Sequence, residues 1–243
     1  MRSGCIASLR TLFLVLAAGI PMGTVLWADD DLSYRPPVQL DQLWMIIPME
    51  ITHLLSSDDS AGAIVRIDET GQVIDWVCLY TPHYKLLPGL GEALAGLTFE
   101  PATENGEPVV VDLNITIPVG QIGTYGILTL TPASYLESRI ASISHAPDEM
   151  KVCKTSDLDR PLTIAQKGKP VVPVDENQNK ISGEVEVRFY VDWEGVPRLI
   201  RSDMDLNPVL RNAAHLTVEQ MRFLPPTRNG RPTVMKARMI VRF

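Results

Sequence analysis

The stretch GEVEVRFYVDWEG, residues 183–195, decides how the rest of the chain is interpreted. Three valines and a phenylalanine occupy every second position, with charged residues and a tyrosine between them. This alternation predicts a β-strand with one buried and one exposed face. The predicted buried set is Val185, Val187, Phe189 and Val191, and the exposed set is Glu184, Glu186, Arg188 and Tyr190. Asp192 to Gly195 then predict a turn.

A helix and another alternating strand follow this turn. Asn207 and Pro208 predict a helix start, because Asn caps free backbone amides and Pro suits the first helical position. Apolar residues at helical spacing then define a face to be buried: Leu210, Ala213, Ala214, Thr217, Val218 and Met221. From Met235 to Phe243 the apolar residues alternate again. The unit reads strand, turn, strand, helix, strand, which predicts an α+β fold.

This stretch resembles the C-terminal domain of TonB, a bacterial energy transducer. The pattern G-x-V-x-V-x-F-x-V-D-x-x-G begins at Gly183, and F-x-P-x-x-x-N-G-x-P begins at Phe223, after the amphipathic helix. The match extends over about 60 residues. The resemblance implies a small antiparallel three-stranded sheet with one packed helix, in which the last strand lies at or near a sheet edge.

The same pattern occurs earlier in the chain, at an offset of 124 residues. Gly71 is followed 28 residues later by Phe99 in FEPATENGEP, and Gly195 is followed 28 residues later by Phe223 in FLPPTRNGRP. With no gap, Asp68 aligns with Asp192. The pairs that follow Phe99 and Phe223 are Pro101 with Pro225, Thr103 with Thr227, Asn105 with Asn229, Gly106 with Gly230 and Pro108 with Pro232. This self-similarity predicts a tandem duplication.

The duplication sets the predicted domain organisation. We predict a first TonB-C-like domain over residues 35–119, a connector with a short strand and a helix over 120–159, and a second domain over 160–243. The helix of the first copy should be the shorter, because Pro88, Gly89, Gly91 and Gly96 lie within it and glycine weakens a helix interior.

Residues 1–28 have the composition of a targeting segment. Arg2 and Arg10 precede the apolar run Leu12 to Ile20, Pro21 follows it, and Ala28 stands before three aspartates. This order is typical of a cleaved signal peptide. The alternative is an uncleaved membrane anchor, since Thr11 to Ala28 is nearly long enough to span a bilayer. Either interpretation predicts an exported protein, periplasmic in a bacterium or anchored to the inner membrane.

The sequence offers little that would support catalysis or a cofactor. His53, His83, His145 and His215 lie far apart without metal-ligand spacing, and no nucleophile elbow or phosphate-binding loop is present. We therefore expect a protein that is not an enzyme and has no cofactor. The formal net charge of −7 and the lack of a basic stripe disfavour nucleic acid as a partner.

One spacing imitates a calcium-binding loop. Asp175, Asn177 and Asn179 alternate, and Glu186 is the twelfth residue of the stretch. Lys180 stands where glycine is wanted, and the flanks are strand-like, so we predict no metal site here.

Cys78 and Cys153 are the cysteines that would remain after cleavage at Ala28. An oxidising compartment would permit a disulfide between them, joining the first copy to the connector. The alternative is that both are small buried core residues.

Function is predicted to reside on a strand edge. A three-stranded sheet covered by one helix leaves unpaired backbone groups, which accept an added strand from a partner. The TonB resemblance implies that a short segment of an outer-membrane transporter pairs with the last strand. Carried over, the partner-binding strand is Val234, Met235, Lys236, Ala237, Arg238, Met239, Ile240, Val241, Arg242 and Phe243.

Two functions follow from this edge. The first is a periplasmic protein that binds a partner peptide or protein by strand addition, with a role in TonB-dependent transmembrane transport. The second is a structural module of the cell envelope whose copies pair with each other or form a homo-oligomer. Lys236, Arg238 and Arg242 would suit an acidic partner, or would be the solvated charges that commonly protect an edge strand from aggregation.

Overall fold

The computed structural model describes residues 34–120, 127–130, 150–176 and 178–243, the second of these ranges by its backbone alone. The targeting segment 1–28, Asn177 and connector residues 131–149, where the connector helix is predicted, lie outside these ranges. Within them the fold mixes helices and strands, with strands predominating, as the sequence predicts. None of the helices in the described ranges combines the length and the apolar character needed to cross a bilayer.

The first copy and its lead-in contain nine strands and two helices. In chain order they are β1 (Tyr34–Arg35), β2 (Val38–Gln39), β3 (Leu43–Ile46), α1 (Met49–Thr52), β4 (Ser60–Ile67), β5 (Val73–Thr81), α2 (Leu87–Ala95), β6 (Phe99–Glu100), β7 (Thr103–Glu104), β8 (Glu107–Pro108) and β9 (Val111–Pro118). A single 3-10 turn, Tyr84–Leu86, precedes α2.

The described parts of the connector and the second copy supply the other elements. In chain order these are β10 (Ile127–Leu130), β11 (Met150–Cys153), β12 (Ile164–Gln166), β13 (Glu184–Val191), β14 (Pro197–Arg201), α3 (Pro208–Glu219), β15 (Arg222–Phe223), β16 (Thr227–Arg228), β17 (Arg231–Pro232) and β18 (Val234–Arg242). A 3-10 turn, Thr155–Asp157, follows β11.

The main sheet runs through both copies. Its strand order is β14-β13-β18-β11-β5-β4-β9, so each copy supplies three neighbouring strands and the connector strand β11 lies between them. β11 is parallel to β18, with Val152 beside Val234, and antiparallel to β5, with Lys151 beside Tyr80. Ser33–Phe243 accordingly forms one compact unit, in which the two predicted domains share a continuous sheet.

The strand pattern of the second copy is as predicted. Val185, Val187 and Val191 are fully buried and Phe189 is 4% exposed. They pack with one face of α3 in a cluster that contains Ala214, Val218, Met221, Phe223, Met235 and Val241. The larger cluster, built mainly from the first copy, also takes in Leu199 and Val234 of the second copy. The copies are therefore joined by apolar packing as well as by the sheet.

The start of α3 and the shortness of α2 are as predicted, whereas α3 ends at Glu219, before Met221. The Asn207 side chain accepts a hydrogen bond from the Val209 amide at 2.9 Å, which caps α3, and Pro208 is its first residue. α2 is shorter than α3, 9 residues against 12. Gly91 faces the indole of Trp76, which would collide with a Cβ at that position. One of the glycines that weaken α2 thus makes room for a large side chain from β5.

The turns after β4 and β13 carry the same hydrogen bonds. The Asp68 carboxylate accepts the amides of Thr70 and Gln72, each at 2.9 Å. The Asp192 carboxylate accepts the amides of Glu194 and Val196, each at 2.9 Å. Two residues 124 positions apart therefore close equivalent turns.

Each turn ends in a glycine that contacts the strand after the helix. Gly71 has φ +85° and its carbonyl accepts the Phe99 amide at 2.8 Å. Gly195 has φ +84° and its carbonyl accepts the Phe223 amide at 2.8 Å. A Cβ on either glycine would collide with the carbonyl oxygen of the same phenylalanine. Phe99 and Phe223 thus occupy matching local environments, both nearly buried.

The structure does not contain the disulfide considered from the sequence. Cys78 and Cys153 are both free and both buried, Cys78 in the larger cluster and Cys153 in the smaller one. Burial raises the pKa of Cys78 to about 12 and also raises the pKa of Cys153. Each thiol therefore behaves as a small core residue, which is the alternative the sequence left open.

Candidate partner-binding edge

The first two residues of β18 lie inside the main sheet. The rest of β18 forms an open edge. The strand pairs with β13 from Met235, beside Val191, to Arg242, beside Glu184. On its other side, β11 pairs with Val234 and Met235. The prediction of an edge from Val234 is therefore wrong for these two residues, because the connector strand occupies their outer side.

The remainder of β18 directs alternate backbone groups away from β13. Gly183 and Phe243 exchange two backbone hydrogen bonds, at 3.3 and 3.0 Å. Along an antiparallel ladder, a residue that exchanges two hydrogen bonds with its neighbour alternates with one whose N–H and C=O point away from that neighbour. The residues whose N–H and C=O groups point outward are therefore Lys236, Arg238, Ile240 and Arg242. Among the described residues, no strand pairs with this side of β18 beyond Met235.

The side chains of β18 divide between core and surface as the alternation predicts. Val234, Met235 and Val241 are buried, and Ala237, Met239 and Phe243 pack partly buried against the smaller cluster. Lys236, Arg238, Ile240 and Arg242 are exposed. The residues with outward backbone groups are thus those with side chains on the solvent face, and of these Lys236 donates its N–H to β11, because the parallel bridge between Met235 and Cys153 is made by the residues on either side of Met235.

Three arginines on this face form a row that crosses the strands. Arg188 on β13 lies beside Arg201 on β14 and beside Arg238 on β18. Like charges directly opposite one another destabilise a sheet. Arg188 is balanced by Glu186 at 2.9 Å and Asp203 at 3.4 Å, and Arg201 is paired with Asp112. A cleft of about 910 Å³ lies against this row, lined also by Tyr190 and Lys236.

The terminal strand of the main sheet on the side of the second copy, β14, has its backbone groups bound by side chains. The Leu199 amide donates to the Asp75 carboxylate at 2.6 Å, and the Ile200 carbonyl accepts from the Arg66 guanidinium at 3.1 Å. Both residues lie where the β13–β14 ladder is irregular. Since first-copy residues already bind these backbone groups, β14 is a poorer template for an added strand than β18.

Sequence reasoning missed a polar network that connects the copies. Arg198 donates to the buried Asp192 at 2.8 Å and lies 3.5 Å from Asp75. Its guanidinium also stands over the Trp76 ring, 5.2 Å from the centroid, and Trp76 packs on Trp193 at 5.5 Å. The sequence could have placed these residues together only if the two copies were aligned and one sheet were known to join them.

The carboxylates of this contact have pKa values shifted in opposite directions. Burial raises the pKa of Asp75, and its hydrogen bond from Leu199 and the charge of Arg198 only partly offset this. Burial acts in the same sense on Asp112, but the hydrogen bonds and charges of Arg66 and Arg201 outweigh it and lower its pKa. Arg66 holds Asp112 through two bonds, at 2.8 and 3.0 Å.

We predict opposite pH responses for Asp112→Asn and Asp75→Asn. Asp112→Asn should lower the free energy of unfolding by about 1–3 kcal/mol at pH 7, since it leaves two arginines without their carboxylate. Because the folded pKa of Asp112 is lowered, its contribution is present above the unfolded pKa of about 3.9 and is lost as pH falls through the folded pKa. The difference between wild type and this variant should therefore shrink on acidification.

For Asp75 the sign is reversed. Its folded pKa is raised, so its contribution is present below the unfolded pKa and is lost as pH rises through the folded pKa. Wild type should gain stability relative to Asp75→Asn as the pH falls. Urea unfolding of the three proteins between pH 7 and about pH 2, a range that includes both pKa values of Asp112, measures both trends, and parallel curves would contradict the assignment of the two carboxylates.

A polar cleft of about 340 Å³ lies beside this network and deserves comparison with a catalytic site. It is lined by Arg66, Asp75, Arg198, His215 and Glu219 among others. The Ser202 hydroxyl lies 2.8 Å from Nε2 of His215. Burial, Arg211 and Arg66 lower the pKa of His215, which favours the neutral imidazole. The cleft lies beside residues of both copies, since Arg66 and Asp75 belong to the first and Arg198 and His215 to the second.

Two residues of the stretch with calcium-loop spacing, Asp175 and Asn179, bond to each other. The Asp175 carboxylate accepts the Asn179 amide at 2.8 Å and its side-chain amide at 3.1 Å. Within the described ranges, no group of three metal-ligating side chains is brought together.

Comparison with protein-family models, with curated proteins and with solved structures found no match. The resemblance to the TonB C-terminal domain therefore remains a prediction from the residues quoted above.

Proposed function

We propose that the protein is an exported, non-enzymatic binding protein built from two tandem TonB-C-like units. It binds an extended segment of a partner protein by strand addition along Lys236–Arg242. The observation that carries the proposal is the row of outward backbone groups at Arg238, Ile240 and Arg242, together with the C=O of Lys236, beside which the described residues place no strand. A place in the periplasm and a role in TonB-dependent transport are what the sequence resemblance adds.

The repeat supports the tandem part of the proposal. Equivalent turns, glycines and phenylalanines recur at an offset of 124 residues, and each copy contributes a sheet in which the strand before its first turn is central. In the second copy the connector strand covers the beginning of the last strand. This leaves seven residues, Lys236–Arg242, for a partner, a length of about 23 Å at 3.3 Å per residue.

Self-association through the same edge is the alternative function. Antiparallel pairing of β18 with a second β18 would place basic residues opposite basic residues, for instance Lys236 opposite Arg242 in a pair centred on Met239. Because like charges on facing positions are destabilising, this arrangement is less favourable than a partner of different composition.

Ile240→Pro provides a direct test. Its amide points away from β13, so proline removes an outward donor and leaves the β13 ladder intact, as proline does on other edge strands. We expect extended peptides to shift the amide resonances of Lys236, Arg238 and Arg242 in the full chain. Ile240→Pro should weaken this binding at least about tenfold, the effect of losing one or more backbone hydrogen bonds.

Ile240→Ala is the matched control, because it removes the same exposed side chain and keeps the amide. It should bind within about twofold of wild type, and unfolding measurements should show both variants folded. Equal binding by Ile240→Pro would show that strand addition occurs elsewhere. A wild-type dimer that Ile240→Pro converts to a monomer in sedimentation would favour the self-association alternative.

A further inference from the structure

The basic residues of the open edge are not equivalent. Arg242 is paired with Glu184 on the neighbouring strand, with Nε and Oε1 2.7 Å apart. Among the described residues, neither Lys236 nor Arg238 has a carboxylate partner within ion-pair distance. Lys236 lies over the Tyr190 ring at 5.6 Å, and Arg238 faces another arginine. Unbalanced positive charge is thus concentrated at the end of the edge nearest to β11.

Nearby carboxylates are already engaged. Glu186 is bonded to Arg188, and this bond is the main cause of its lowered pKa, with Arg238 contributing a weaker and more distant attraction. Asp112 is shared by Arg66 and Arg201. Arg238 therefore has no carboxylate of its own among the described residues, and an anionic group on a partner would balance its charge.

We propose that the bound segment carries acidic side chains at two alternate positions, opposite Lys236 and Arg238. This inference rests on the strand addition proposed above. Side chains of a strand added beside β18 would alternate between the two faces of the sheet, and those on the solvent face would lie directly beside Lys236, Arg238, Ile240 and Arg242. An acidic-x-acidic sequence satisfies both cations whether the added strand is parallel or antiparallel.

The acidic pair has a defined place within the seven-residue edge. Arg242 needs no further anion because Glu184 satisfies it. The preferred partner is therefore acidic at the end of the edge adjoining β11, with no charge requirement beyond it.

Three blocked heptapeptides test this inference with the full chain. They are Thr-Val-Glu-Val-Glu-Val-Thr and the versions with glutamine or lysine at both glutamate positions. At low salt we expect the glutamate peptide to bind at least about fivefold more tightly than the glutamine peptide, and the lysine peptide to bind most weakly. The advantage of glutamate should decrease as ionic strength rises.

Matched substitutions locate the contact. The double variant Lys236→Gln with Arg238→Gln should reduce glutamate-peptide binding about tenfold and leave glutamine-peptide binding within about twofold. Arg242→Gln is the control, because it removes an exposed cation of the same strand, and it should change neither affinity more than about twofold.

The outcomes separate the two proposals. If the glutamate and glutamine peptides bind equally well, or if Arg242→Gln weakens glutamate binding as much as the double variant does, the acidic preference is overturned while strand addition stands. If no peptide shifts the resonances of residues 236–242, strand addition itself fails.

Discussion

Phe223→Ala is expected to lower the free energy of unfolding by about 3–5 kcal/mol, the usual cost of removing a core phenylalanine. The ring is 6% exposed and packs on Phe189 with the centroids 5.7 Å apart. Its removal leaves a cavity between β13, α3 and β15 that the surrounding sheet cannot easily close. Denaturant unfolding of the full chain, followed by circular dichroism, measures the loss.

Two further substitutions turn this measurement into a test of the duplication. Leu224→Ala changes the next residue, which is 38% exposed, and should cost less than about 1 kcal/mol. Phe99→Ala should cost as much as Phe223→Ala, because Phe99 is 3% exposed and has the matching bond to Gly71. A loss below about 1 kcal/mol for Phe223→Ala, or very different costs for the two phenylalanines, would contradict the matched packing.

Gly71→Ala is expected to destabilise the protein by about 3 kcal/mol or more, in the upper part of the range for single substitutions. Gly71 has φ +85°, and its Cβ would meet the Phe99 carbonyl oxygen. The positive φ alone costs an alanine about 1–2 kcal/mol. The collision adds to it, because the obstructing atom belongs to the backbone and cannot rotate away.

Gly106→Ala separates the two factors. Gly106 has the same φ of +85°, but no atom lies within 4 Å of the position its Cβ would take. We expect Gly106→Ala to lower the free energy of unfolding only by the cost of the positive φ, about 1–2 kcal/mol. Thermal or denaturant unfolding of both variants gives the comparison, and equal losses would mean that the approach of Phe99 to Gly71 is not a tight contact.

Local structure was predictable from the sequence because it depends on local rules. The alternation from Val185 to Val191 and the cap at Asn207 follow from strand geometry and hydrogen-bond chemistry, and the structure reproduces both. The short α2 follows from its glycine content. The repeat offset likewise predicted which residues would close the equivalent turns, since the same turn chemistry recurs at Asp68 and Asp192.

The joining of the copies was not predictable in the same way. β11 is four residues long, and nothing in its sequence states that it fits between β5 and β18. The edge predicted for Val234 and Met235 was wrong for this reason, because pairing with a distant strand has no periodic signal. The Asp75–Arg198–Asp192 network was missed for a related reason, since its members are ordinary polar residues until the two copies face each other.

The place of β11 has a consequence for biosynthesis. The parallel ladder between Val152 and Val234 can form only after Val234, 82 residues later in the chain, has been synthesised. At translation rates of roughly 5–20 residues per second, that interval lasts about 4–16 s. Throughout it, the nascent chain would display one side of β11 as a bare template for pairing, so a holding chaperone would have its greatest effect in this window.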